Sequence, residues 1–190
     1  MRARGMRVGV MKPVDLGCAE INGVLESRDI QALALAVGSV LPIELICPYR
    51  YRSTPAAAEP APAPDLAHIA RCFGEIAAQN DVVLVESGDT ITARIGRDTD
   101  FADLAAMLGL EVIVVVGNRP GCVRAAMLTL DRCESLELKV AGYILCDCEP
   151  VASSETEGND VSLQRIAPAP YLGRMRHREP LARAIVEKLI

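Results

Sequence analysis

Val112-Ile113-Val114-Val115-Val116 is five β-branched residues in a row, with no polar residue to mark an outer face. A strand wetted on one side alternates apolar and polar side chains. One covered on both sides is apolar throughout, so this run reads as an interior strand of a parallel sheet. Three more continuous runs are of the same kind: Val8 to Val14, Val82 to Val85 and Val140 to Cys146. Around them, helical spacing of apolar residues occupies Asp29 to Val37, Asp65 to Gln79, Phe101 to Leu108, Val123 to Cys133 and Leu181 to Leu189. Strands alternating with helices predict a doubly wound, mostly parallel α/β sheet in three α/β/α layers, with its ligand at the carboxyl ends of the strands.

The chain of 190 residues is 51% hydrophobic and 24% charged, the balance of one globular domain, read here as spanning residues 1–190. Asp and Glu number 25 against 20 Lys and Arg, a net charge of −5, which opposes the clustered basic surface that nucleic acid requires. Small molecules are the expected partners. No run approaches the ~20 apolar residues of a membrane span, and the amino terminus lacks the apolar core of a secretory signal, so the compartment reads as cytoplasm. Seven cysteines without a Cys-x-x-Cys pair, and only two histidines, exclude a closed zinc site. The cysteines read as small buried apolar side chains, with Cys146 and Cys148 around Asp147 as the one cluster open to a metal or redox role. Ser53 to Pro64, rich in Pro and Ala, reads as a covering loop, and Asp147 to Asp160 as a polar loop after a strand.

Three charged residues fall where a parallel sheet places function. Lys12 follows the run Val8 to Met11 and is itself followed by Pro13, which stops the strand and leaves an ammonium at its carboxyl end. Glu86 ends the run Val82 to Val85 in the same way, and a carboxylate there suits a hydrated Mg²⁺. Asp29 opens a helix. The ordinary alternatives are first-turn dipole compensation or capping for Asp29, and plain surface charge at strand ends for Lys12 and Glu86. Together, one Lys and two acids around a sheet crevice suit phosphoryl transfer, in which a protein mostly positions groups and neutralises charge. The phosphate-cradling pattern G-x-x-x-x-G-K-[ST] does not occur in the 190 residues.

Lys12-Pro13-Val14-Asp15-Leu16-Gly17, Asp29 heading Ile30-Gln31-Ala32-Leu33-Ala34-Leu35, and Cys47-Pro48-Tyr49 resemble the first half of dethiobiotin synthetase. Val83-Leu84-Val85-Glu86, Asp100 to Leu104, Val112 to Val116, Gly121 to Thr129, Val140 to Ile144 and Ala167 to Gly173 resemble the remainder, in order. The resemblance implies a P-loop NTPase fold and an ATP- and Mg²⁺-dependent ligase of biotin biosynthesis. In such a ligase, an amine of diaminopelargonic acid takes up CO2 as a carbamate, ATP phosphorylates the carbamate, and the neighbouring amine displaces phosphate to close the ureido ring. By position it implies Lys12 as the catalytic group holding carbamate and transferred phosphate, and Asp29 and Glu86 as Mg²⁺ ligands. It further implies that Gly121, Cys122, Val123 and Arg124 face the substrate, that Cys146, Asp147, Gly173 and Arg174 lie at the nucleotide, and that the protein is a homodimer.

The chain departs from that pattern at Ser87-Gly88-Asp89-Thr90, where the family has Gly-Ala-Gly-Gly, and at Leu16, Arg124-Ala125, Cys146 and Arg176. Met1-Arg2-Ala3-Arg4-Gly5 reads like the last turn of a helix. The resemblance places a first strand, a phosphate loop and most of a first helix upstream of it. The expectation is therefore an N-terminally truncated fold short of roughly 30 residues, one strand-loop-helix unit, and inactive in isolation. Two alternatives stand beside the ligase: a noncatalytic domain of the same fold that binds a partner or regulates, and a different amide-forming or phosphotransfer relative.

Overall fold

The computed structural model describes Met1 and residues 5–52, 62–151 and 153–188. The basic N-terminal turn, most of the Pro-rich loop and the final residues of the expected last helix lie outside these. Contacts divide the chain into two compact units, Met1–Leu104 and Ala105–Ile190, described here in turn.

In the first unit, β1 (Val8–Met11) is the first half of the apolar run from Val8 to Val14, and β2 (Val14–Ile21) begins where Pro13 has broken it. A hairpin joins β2 to β3 (Val24–Glu26) in antiparallel register. Its two turn residues, Asn22 and Gly23, both have positive φ, 52° and 79°. Asn-Gly between apolar residues is the strongest short hairpin signal in a sequence. The sequence therefore carried this element, although the apolar runs did not announce it. There follow α1 (Arg28–Val37), the short α2 (Ile43–Ile46) and β4 (Tyr49–Arg52), which runs parallel to β2. Next, α3 (Leu66–Ala77) leads to β5 (Val82–Val85), which pairs in parallel with β1 from Val8↔Val82 to Met11↔Val85. A small antiparallel pair, β6 (Arg94–Gly96) and β7 (Thr99–Asp100), precedes α4 (Phe101–Met107). Val10, Ile30, Ile46 and Cys47 form a buried cluster that fixes α1 and α2 on β1. From the other side α3 approaches so closely that a Cβ on Gly9 would lie 2.6 Å from Ile76.

The second unit is a regular parallel sheet in the order β10-β9-β8. Its elements are β8 (Val112–Asn118), α5 (Cys122–Ser135), β9 (Val140–Asp147), α6 (Asn159–Ile166), β10 (Tyr171–Met175) and α7 (Arg183–Glu187). One face of the sheet buries Val114, Val116, Tyr143 and Leu145 against Cys122, Ala126 and Leu130 of α5 and Leu163 of α6. The opposite face buries Ile144 and Leu172 against Ile185 of α7. Helices on both faces explain why these strands are apolar in continuous runs. The polar stretch after β9 ends sooner than expected: α6 begins at Asn159, and α7 is shorter than the spacing from Leu181 predicts. Among the described residues, no helix is long and apolar enough to cross a membrane.

Candidate functional site

Met11 and Val85 are the last paired residues of β1 and β5, so Lys12 and Glu86 leave the sheet side by side. The Glu86 N–H donates to the Met11 carbonyl at 2.8 Å and the Lys12 N–H to the Ile46 carbonyl at 2.9 Å, which fixes both backbones. Lys12 is 2% exposed, and its ammonium donates to Asp29 Oδ2 at 2.5 Å and to Glu86 Oε1 at 2.8 Å. Asp29 sits in the first turn of α1, whose N-cap Ser27 accepts the Ile30 N–H through its Oγ at 3.3 Å. The two carboxylates are 61% and 45% exposed, so the cation is buried while its partners remain open to a ligand. Burial pulls the Lys12 ammonium down, but hydrogen bonds to Asp29 and Glu86, with the charges of Glu86 and Asp15, outweigh it and hold its pKa above the ordinary lysine value.

A fourth charged group was not foreseen. Asp15, 4% exposed, accepts the Gly17 N–H at 3.0 Å. Burial, followed by the Asp15 charge, pushes the Cys18 thiol up to about 11 and the Cys47 thiol up to about 12, so neither is a thiolate near neutrality. Beyond Glu86, a Cβ on Gly88 would lie 2.4 Å from the Val14 carbonyl oxygen. The chain crosses the start of β2 at a distance that only glycine permits. Of the four residues in that turn, Ser87 to Thr90, the single glycine is the one that stands at this crossing. The carboxylate of Asp89 is turned back on its own loop, accepting the Thr90 N–H at 2.7 Å.

In the second unit the last rung of the β8–β9 ladder pairs Asn118 with Asp147. Asn118 Nδ2 donates to Asp147 Oδ1 at 3.0 Å, and Asn159 Nδ2 donates to Asn118 Oδ1 at 2.8 Å. Arg174 donates from Nε to both Asp147 oxygens, at 3.0 and 2.9 Å, and its Nη2 lies 2.8 Å from Oδ1. The register between β10 and β9 shifts between Tyr171 and Gly173. Leu172 packs with Ile185, and a Cβ on Gly173 (φ +151°) would meet Ile185 at 2.6 Å, so two successive residues turn toward α7. The shift returns Arg174 to the face of Asp147, as a bulge re-aims a side chain. Burial pushes the Asp147 carboxyl up, but hydrogen bonds from Arg174 and Asn118 overcome this and hold it below the usual carboxylate range. A cavity of about 290 Å³ opens beside this network, lined by Asn118, Arg119, Asp147, Cys148, Ser153 and Thr156 among others.

The predicted site residues are thus distributed unevenly. Lys12, Asp29 and Glu86 meet. Asp147 and Arg174 form an ion pair, whereas Cys146, one residue along the strand from Asp147, projects to the opposite face. Of the expected substrate group, Gly121 is the uncapped N-cap of α5 and Arg124 is exposed, but Cys122 is buried and Val123 packs against the same core. Those two side chains serve the interior because helical spacing turns them onto β8. Cys146, Asp147 and Cys148 build no metal cluster: among the described residues, no group of three or more His, Cys, Asp or Glu side chains could hold an ion.

Residues 1–184 match the family model AAA_26, described as an AAA domain. The chain belongs to this AAA domain family. The crystal structure of a ParA family ATPase from Chlorobium tepidum TLS shares the fold, with a TM-score of 0.50 and 15% identity over 97% of this chain and 76% of that one. The AAA domain described here therefore has the α/β fold of P-loop NTPases, a class of nucleotide-binding proteins.

The donor set of this AAA domain fits Mg²⁺ at one place. Asp29 and Glu86 are hard oxygen donors on one nitrogen, both part-exposed, and Mg²⁺ characteristically takes one or two carboxylates and completes its shell with water and phosphate oxygens. Sequence reasoning missed Asn118 and Asn159. Asn118 ends an apolar run just as Lys12 and Glu86 do, so the same rule finds it, whereas nothing in the sequence points to Asn159, 41 residues away.

Proposed function

We propose that this AAA domain is an ATP-dependent ligase of the dethiobiotin synthetase type, acting on a diamine and CO2. The observation that carries the reading is the buried Lys12 ammonium held at a strand's carboxyl end between two part-exposed carboxylates. Lys12 would hold the carbamate carboxylate and take up charge as the phosphoryl group arrives, with its burial strengthening that interaction. Asp29 and Glu86 would exchange the ammonium for Mg²⁺ when a nucleotide is present. ATP with Mg²⁺ supplies the phosphoryl group and neutralises its charge. The test is incubation with Mg-ATP, diaminopelargonic acid and bicarbonate, with dethiobiotin and phosphate read by mass spectrometry and a phosphate assay. Product in step with phosphate supports the ligase. Phosphate without dethiobiotin redirects the substrate to another amide-forming or phosphotransfer reaction.

A second reading, a noncatalytic binding or regulatory domain, is favoured by the absent G-x-x-x-x-G-K-[ST] pattern and by the Arg174–Asp147 pair, which occupies groups that the resemblance assigns to the nucleotide. Calorimetric titration with Mg-ATP separates the two when it is run on a chain extended upstream through the phosphate loop that the resemblance implies: an extended chain that binds no nucleotide at millimolar concentration cannot be the ligase.

A further inference from the structure

Asp15 is a buried carboxylate beside the two part-exposed ones that hold Lys12, and the chemistry above gives it no task. One of its oxygens accepts the Gly17 N–H at 3.0 Å. Among the described residues, no cation lies within ion-pair distance of Asp15. Arg50, which faces it in the β2–β4 register, instead sets its Nη2 3.5 Å from Glu44 Oε1. A carboxylate taken out of water without a counter-ion costs stability, and such costs concentrate where function requires them. The Asp15 charge acts on both the Lys12 ammonium and the buried Cys47 thiol, so the three belong to one electrostatic cluster.

Lys12 supplies a reason. Asp29 and Glu86 take two of its three N–H donors, at 2.5 and 2.8 Å. When these carboxylates turn to a dication, an ammonium only 2% exposed is left inside the protein, repelled by the ion that displaced it. We propose that Asp15 is a positioning residue for Lys12, the reserve counter-charge to which the ammonium turns when Asp29 and Glu86 are given to a divalent cation. The flexible lysine stem allows that turn without movement of the backbone. At 4% exposure Asp15 is closed to a hydrated ion, which keeps it for the lysine. With two carboxylates alone, metal and lysine are rivals. A third, buried one lets the site hold both positive charges at once, as phosphoryl transfer requires. This role rests on the ligase reading only through the exchange of Asp29 and Glu86 to Mg²⁺, and not on the identity of the diamine.

The test titrates the whole chain with Mn²⁺ at millimolar concentration and reads bound ion from water-proton relaxation. Wild type should bind Mn²⁺, and Asp29→Asn combined with Glu86→Gln should abolish binding. Asp15→Asn, which keeps an acceptor for the Gly17 N–H, should weaken binding roughly fivefold or more in the wild-type background but less than about twofold in a Lys12→Met background, because residues that act through one another are not additive. The chain has three lysines, Lys12, Lys139 and Lys188, so isotopic labelling at lysine Cε follows Lys12 directly by NMR. Under saturating Mg²⁺ the Lys12 signal should stay apart from that of solvent-exposed lysine in wild type and join it in Asp15→Asn. Should a thermal melt show that Asp15→Asn does not fold, Asp15→Ser replaces it, and the wild-type lysine spectrum decides by itself. Equal losses in the two backgrounds would make Asp15 a direct electrostatic neighbour of the metal and overturn the proposal. So would Asp15→Asn that binds Mn²⁺ as wild type does, or a wild-type Lys12 signal that moves to the exposed position with Mg²⁺. A wild type that binds no Mn²⁺, or binds it undiminished without Asp29 and Glu86, overturns the proposal together with the exchange, while the dethiobiotin assay reports on the ligase separately.

Discussion

Lys12 is a buried charge and Asp147 a part-buried one, both with partners, yet replacing them has different consequences. The carboxylates facing Lys12 are half in water, so when the ammonium is removed they rehydrate and the loss resembles that of surface pairs, about 0–1 kcal/mol. Lys12→Met is expected to leave denaturant stability within about 1 kcal/mol while lowering Mg-ATP-dependent product formation roughly 100-fold or more. A parallel fall in both would make Lys12 structural. With its pKa raised, the Lys12 contribution is full below the ordinary lysine range and is lost only as pH rises through its higher folded value, so neutral-pH assays see one protonation state. Asp147 is 12% exposed and holds Arg174 and Asn118, so Asp147→Asn leaves the guanidinium with only the more distant Asp160, 3.8 Å away, as counter-charge and should cost about 1–3 kcal/mol at pH 7. The Asp147 pKa is depressed, so this contribution is present above the unfolded carboxyl value and is lost as pH falls through the folded one. The gap between wild type and Asp147→Asn in urea titrations should therefore narrow from pH 7 to pH 3. A constant gap would assign the loss to shape. Lys12, Asp29 and Glu86 were legible because each stands at the end of an apolar run or the start of a helix. The Arg174–Asp147 pairing was not, since a shift of register that no residue type announces decides which face Arg174 takes.

Among elements, the long apolar runs identified β5, β8 and β9, and α1, α3 and α5 followed from helical spacing. The strands β2, β3 and β4 escaped that reading because their side chains are mixed or exposed: β3 shows one part-buried residue between two exposed ones, and β4 is Tyr49-Arg50-Tyr51-Arg52. Strand identity there comes from pairing, not composition. The stretch after β5 also depends on tertiary contact. Gly88→Ala sets a methyl group against the Val14 carbonyl, and backbone on both sides must yield. Chemical denaturation should show a loss of about 1–3 kcal/mol, in the range of overpacked sites. Gly74→Ala is the control, because its Cβ would meet nothing within 4 Å in the middle of α3; it should be neutral or slightly stabilising.

At the scale of the whole molecule, the seven cysteines report on packing. Cys18, Cys47, Cys72, Cys122 and Cys133 are buried and Cys146 and Cys148 half-buried, so a thiol reagent at pH 8 should modify the last two first, with the other five reacting on unfolding. Peptide mapping checks the order, and early labelling of Cys18 or Cys47 would contradict both their burial and their raised pKa values. The expectation that free thiols are core residues thus holds for five positions and gives way at the strand-end pair. Sheet connectivity also has a kinetic meaning. The side chains that meet at the end of β1 and β5, Lys12 and Glu86, are separated by 74 residues, and those that meet at the end of β8 and β9, Asn118 and Asp147, by 29. The longer loop costs only ~0.8 kcal/mol more chain entropy to close, but non-local pairing slows a folding nucleus. Pulse-labelled hydrogen exchange during refolding should therefore find the amides of Ile113 to Val116 protected before those of Val8 to Met11. The carboxyl-terminal half, which leaves a ribosome after the amino-terminal half, would then be the first of the two to acquire its native ladder.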